Sequence, residues 1–229
     1  MKNTFYLAFA LLWFCALHAQ ENPRMVTKNG GITVTFENED VTLDSDIQDG
    51  LLEIIFEVYP KLMRDFNPQA LQELQVKIDT SYTGVAYAHN GQVVISSTWL
   101  HQRPEDLDLM THEVMHLIQA YPHNAGPGWL TEGIADYVRY VYGVNNEGAG
   151  WSLPGYASNQ QYTDSYRVTA RFLVWISKEY DPNFVVKLDQ HLRKNTYSEV
   201  LWEKYTSKSL DELWDLYSKS PKIPPIKPV

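Results

Sequence analysis

The chain has 229 residues, a formal net charge of −9, 44% hydrophobic and 13% aromatic residues, and a single cysteine, Cys15. That is the size of one globular domain, and the apolar and aromatic content excludes a disordered chain. The acidic balance speaks against nucleic acid or an anionic membrane as main partner, and one cysteine excludes a disulfide framework.

The opening stretch "MKNTFYLAFALLWFCALHAQENPR" has one Lys, an apolar run from Phe5 to Leu17 and a small residue at Ala19. It reads as a secretory signal peptide over residues 1–19, cleaved after Ala19 and too short to span a bilayer comfortably. The expected mature protein has no cysteine, no membrane anchor and no staple, and works as a secreted or periplasmic monomer whose domain covers residues 20–220.

Residues 20–31 look like a loose lead-in, and "ITVTF" (32–36) alternates as a strand does. Residues 42–66 place Leu51, Ile54, Ile55, Val58 and Leu62 at helical spacing, with a bend expected at Pro60. Strands follow at 74–80, 84–88 and 92–97, and Asn90–Gly91 between the last two is a strong hairpin signal. Pro104 is placed to open a helix reaching Ala120, with Glu105, Asp106 and Asp108 in its first turn where the dipole favours acids. "PHNAGPG" (122–128) breaks it, and a further helix over 129–143 closes on Gly143. A Gly-rich loop (144–161) leads to helices at 163–179, 182–194 and 210–219, the last opened by a Ser209/Glu212 capping box. The tail 221–229 is Pro-rich and extended. The pattern is one α+β domain, a small mixed sheet first and a mostly helical half after.

The helix over 104–120 carries "HEVMH". Residues four apart share a helix face, so His112 and His116 are positioned to bind one ion while Glu113 stands beside it, free to act on a bound water. The surroundings Leu109, Met110, Val114, Met115, Leu117 and Ile118 are apolar, and two part-buried imidazoles need a partner that a metal supplies. Sixteen residues on, Glu132 lies in an apolar helix where an unpaired carboxylate would be costly, which makes it the first candidate for third ligand. Asp136, one turn further, is placed to accept the free ring N–H of a metal histidine, and is itself the second candidate for direct ligand. His123 is the third, falling one residue late for the metzincin spacing, in which position 119 is here Gln and position 122 Pro.

The segment "HEVMHLIQAY…GPGWLTEGIADYVRY", with "YTDSYRVTARFLVWI" and "LDELWDLY" after it, resembles the active-site region of the plant basic secretory protein family of peptidases and its bacterial relatives. The resemblance covers about residues 75–218 and implies a zincin-like metallopeptidase fold, one Zn2+, and a glutamate as third ligand. "WLTEGIADY" is also similar to the "WLNEGFA" segment of zinc aminopeptidases, where the Glu binds zinc, which carries that role onto Glu132. The Glu-then-Asp spacing is similar to thermolysin-like enzymes, supporting Asp136 behind a zinc histidine. No Gly-x-Met-Glu-Asn segment precedes the motif, so an endopeptidase is expected rather than an aminopeptidase.

On this reading Glu113 is the general base and Tyr166, in "DSYRVTARF", the donor to the oxyanion. A protein or peptide substrate is expected to lie extended along Gly84, Val85, Ala86, Tyr87 and Ala88, adding main-chain hydrogen bonds. Trp151, Tyr156 and Tyr162 are candidates for specificity pockets, and Arg167 and Arg171 for salt bridges or substrate contacts. Two other readings compete: a non-catalytic domain with structural zinc, which would have no use for Glu113, and a carbohydrate-binding domain, which would need exposed Trp on a sheet.

Overall fold

The computed structural model describes residues 24–224, so the leader 1–19 with Cys15, and the tail beyond Pro224, lie outside the described residues. Five strands form one sheet in the order β1-β2-β3-β5-β4: Arg24–Asn29, Ile32–Asn38, Glu73–Asp79, Gln92–Ser96 and Ala86–His89. The central three are parallel, and the edge strands β1 and β4 run antiparallel to their neighbours. Alternation buries Ile32, Val34, Phe36, Leu74, Val76, Ile78, Val93 and Ile95 on the core side. The hairpin at Asn90 (φ 50°) and Gly91 (φ 81°) forms as the Asn-Gly pair dictates, both residues left-handed.

Helix α1 (Ser45–Asp65) crosses from β2 to β3, capped by Asp44, whose carboxylate accepts from the Asp46 amide, and it continues through Pro60. Then come α2 (Ser97–Gln102), α3 (Leu109–Gln119), α4 (Gly128–Tyr142), α5 (Tyr166–Glu179), α6 (Phe184–Arg193), α7 (Val200–Thr206) and α8 (Leu210–Lys219). The aromatic residues Phe172, Trp175, Trp202, Trp214 and Tyr217 stack on one another and bind α5, α7 and α8 into one block. Among the described residues no helix is long and apolar enough to cross a membrane.

Two sequence expectations need correction. Residues 24–29 are a strand, not a loose lead-in: its side chains are almost all exposed, so no apolar alternation marks it. Pro104 does not open the motif helix, which starts at Leu109. The acids before it serve tertiary bonds: Asp106 pairs with Arg139 and accepts from Trp99, while Asp108 accepts from Thr111 and from the amides of Val144 and Asn145. Helices α2 and α7 were not foreseen. Gly143 closes α4 as expected, in an extended conformation (φ −60°, ψ 145°). It is glycine because a Cβ there would stand 2.4 Å from the Arg139 carbonyl oxygen.

Candidate metal centre

Helix α3 is buried nearly all round, and its C-terminal end is fixed from outside: Asn67 Nδ2 and Arg193 Nη1 both donate to the Ile118 carbonyl at 2.9 Å. Helix α4 packs across it and brings Glu132 and Asp136 to the two histidines. His112 Nδ1 donates to Asp136 Oδ1 at 2.7 Å. His116 Nδ1 donates to Gln119 Oε1 at 2.7 Å, and the Gln119 amide is oriented because its Nε2 donates to the Thr131 carbonyl at 2.9 Å. Both Nδ1 atoms are therefore proton donors, which leaves both Nε2 atoms as bare lone pairs.

Those lone pairs face each other. The two Nε2 atoms are 3.2 Å apart, and Glu132 Oε2 stands 3.3 Å from that of His112 and 3.5 Å from that of His116. Ligand atoms held tetrahedrally at zinc distances lie about 3.3–3.5 Å from one another, so the three groups fit one zinc ion. His112, His116 and Glu132 also form the only such cluster of potential ligands among the described residues. With protein groups alone burial opposes charge on His112, but its hydrogen bonds to Asp136 and Glu132 outweigh that and lift its pKa to about 10, so metal binding there would displace a proton. Burial pushes Glu132 up, yet the two imidazoles hold it down to about 2.

Glu113 is 6% exposed, and its Oε2 is buried with no hydrogen-bond partner among the described residues. Burial lifts its pKa above the ordinary carboxylate value, partly offset by the nearby imidazoles. An orphaned carboxylate oxygen beside the histidine cluster is a costly arrangement that a bound water would relieve. Tyr166 stacks over His112, ring centroids 6.1 Å apart and planes 14° apart, and is half exposed. It is held there by strained backbone: Ser165 (φ 68°, ψ 179°) and Tyr166 (φ 46°) both lie in the left-handed half of φ space, which side chains other than glycine rarely adopt. The Glu132 carboxylate and burial push the Tyr166 phenol up, so it keeps its proton as a donor. Helix α5 comes this close because Gly133 faces Thr169, where a Cβ would stand 2.2 Å from Cγ2.

The cluster opens into a cleft of about 1510 Å³ whose opposite wall is strand β4. Val85, Ala86, Tyr87 and Ala88 line it, and β4 is an edge strand with one side unpaired; Gly84 precedes the strand and is not part of the wall. Trp151 lines the cleft, whereas Tyr156 packs on Trp214 and Tyr217, and Tyr162 on Trp129, Phe172 and Trp214. His123 lies exposed on the loop after α3, away from the ligand cluster, and Asp136 stands behind His112 rather than among the ligand atoms. Gln119 escaped the sequence reading as a functional residue, although its place three residues after His116 puts it on the same helix face.

Solved structures share this fold. A zinc metallopeptidase of the M1 class from Deinococcus radiodurans superposes with a TM-score of 0.50 at 15% identity, over 90% of this chain and 54% of the other. Aminopeptidase A from Legionella pneumophila, in complex with aspartic acid, does so with a TM-score of 0.56 at 15% identity, over 85% of this chain and 28% of the other. The chain thus has the fold of zinc metallopeptidases, while spanning about half or less of the length of those two proteins. No curated protein matches the sequence. The model of a family described as peptidases of plants and bacteria, the basic secretory protein family, matches residues 34–217, and the chain belongs to that family. The match begins well before the stretch whose resemblance is legible by eye and takes in most of the sheet.

Proposed function

We propose that this chain is an exported zinc-dependent endopeptidase. One observation carries the reading: three lone pairs converge at zinc spacing beside a buried glutamate oxygen with no partner. Zinc, when bound by His112, His116 and Glu132, supplies a Lewis acid for the scissile carbonyl and brings the pKa of a bound water to about 7.

Glu113 accepts the water's proton and returns it to the leaving amine, a task suited to a carboxylate whose pKa is raised by burial. Tyr166 donates its phenolic proton to the developing oxyanion from its place over His112. Asp136 and Gln119 hold the imidazoles in the tautomer that directs Nε2 inward. The unpaired edge of β4 aligns the peptide through main-chain hydrogen bonds. A site with purely structural zinc would have no use for the orphaned Glu113 oxygen.

The test is metal analysis together with digestion of unfolded protein by wild type and Glu113→Gln. Both are expected to carry one zinc, and only the wild type to cut. Zinc in both with cleavage by neither rejects the peptidase; zinc in neither rejects the site.

A further inference from the structure

Beyond Asp136 on the same face of α4 stands Arg139, 5% exposed and fixed on three sides. Its Nη2 pairs with Asp106, its Nε donates to Asn146 Oδ1 at 3.0 Å, and its guanidinium lies 4.5 Å from the centroid of the Trp151 ring. Asp106 is in turn held by Trp99 Nε1 at 3.0 Å, and Asn146 Nδ2 donates back to the Arg139 carbonyl at 2.7 Å. This frame does not use all of the guanidinium: Nη1 makes no hydrogen bond among the described residues, and Arg139 lines the cleft between Trp99 and Trp151.

Two more guanidiniums line the same cleft. Arg103 and Arg167 are both exposed, and neither forms an ion pair among the described residues. Arg167 has only one contact, Nη1 to the Ser152 carbonyl at 3.3 Å. Against these three cations the cleft sets two carboxylates outside the ligand cluster and its supports: Asp106, which is committed to Arg139 and Trp99, and Glu113, which is 6% exposed and stands beside the histidines. A chain of formal charge −9 thus places two guanidiniums without an ion pair among the described residues, Arg103 and Arg167, along the cleft of its candidate metal site. Residues 132 and 139 are seven apart on one helix, about 10 Å along its axis, which is a few residues of extended peptide.

We propose that Arg139, with Arg103 and Arg167 at the rim, forms a subsite for a carboxylate of the peptide substrate; this rests on the peptidase reading above. A guanidinium locked by Asp106, Asn146 and Trp151 loses no rotamer freedom when it binds, and its planar N–H edge matches a carboxylate. The part-buried Trp99 and Trp151 rings beside it lower the local dielectric and so strengthen the contact. The carboxylate comes from an acidic side chain near the scissile bond or from the substrate's C terminus, and the experiment separates these sources.

Binding to zinc-loaded Glu113→Gln is measured by calorimetry, using alanine-based hexapeptides carrying one Glu or one Gln at each position in turn, with free or amidated C termini. A charged hydrogen-bond partner in such a site corresponds to roughly ten- to hundredfold in affinity. Glu is therefore expected to beat Gln by at least about tenfold at one position, or the free C terminus to beat the amide by as much. The preference should collapse to parity in the Arg103→Glu/Arg167→Glu variant, whose two changed residues are exposed and leave the core intact, and fall in Arg139→Gln. If Glu and Gln, and free and amidated termini, bind within twofold everywhere, or the double variant keeps the preference, the subsite is overturned. Because binding needs no turnover, a wild type that cuts nothing counts against the peptidase reading alone.

Discussion

His112 and His116 stand one turn apart on the same helix, yet they are held by different chemistry. The proton on His112 Nδ1 goes to a carboxylate from the neighbouring helix, Asp136, 4% exposed; that on His116 goes to a neutral amide of its own helix, Gln119. On the deeper flank a full charge is placed where low dielectric makes it effective, raising the basicity of a ligand and drawing two helices together. On the other flank, where the His116 ring is partly open to the cleft but Gln119 itself is 2% exposed, the neutral amide only fixes orientation. The two flanks are thus unequal, one imidazole backed by a charged carboxylate and the other by a neutral amide.

Variants can break this inequality. The largest effect is expected from Glu113→Gln, which neutralises the orphaned carboxylate of the deeper flank: kcat should fall by about 10³, with zinc content unchanged by atomic absorption. Tyr166→Phe removes only the donor over His112, and a loss of about 10² in kcat with KM nearly unchanged is expected from steady-state kinetics on one peptide. Asp136→Asn makes the flanks alike, amide behind each histidine, and should weaken zinc binding by about 10- to 100-fold in a chelator competition. Gln119→Ala, measured the same way, should cost less than about tenfold, because the truncation leaves space beside the cleft in which a water can accept the Nδ1 proton. Equal losses for Asp136→Asn and Gln119→Ala would erase the distinction. The smallest change is Gly133→Ala, where overpacking against Thr169 outweighs the gain in helix propensity and unfolding free energy should drop by about 1–2 kcal/mol.

The parts of the site legible in the sequence are those fixed by helical period. His112, Glu113 and His116 follow from a three-residue gap, and Glu132 and Asp136 from one turn of α4, so their shared faces need no tertiary knowledge. The hairpin at Asn90–Gly91 and the Ser209/Glu212 cap of α8 were equally local. What was not legible depends on long-range partners. Gln119 looked like a departure from another family's spacing until Thr131 oriented its amide. Asp106 and Asp108 resembled first-turn helix acids because nothing nearby announces Arg139 or the amides of Val144 and Asn145. Strand β1 has no buried face, so its pairing with β2 leaves no apolar period to read. Arg167 and Arg171 were natural candidates for salt bridges, yet among the described residues neither meets a carboxylate; Arg171 Nη2 bonds the Pro221 carbonyl.

The close approach at Gly133 also divides the site between two packing contacts. The two histidines and Glu132 lie on α3 and α4 and come together as soon as those helices pack. Tyr166 depends on α5, which packs against α4 at Gly133 and is also contacted by α8. A molecule with α3 and α4 packed but α5 displaced would keep the His112–His116–Glu132 cluster and lose the phenol over it. On the proposed reading, such a molecule would hold its metal and cut poorly, so the docking of the C-terminal helices would double as a safeguard.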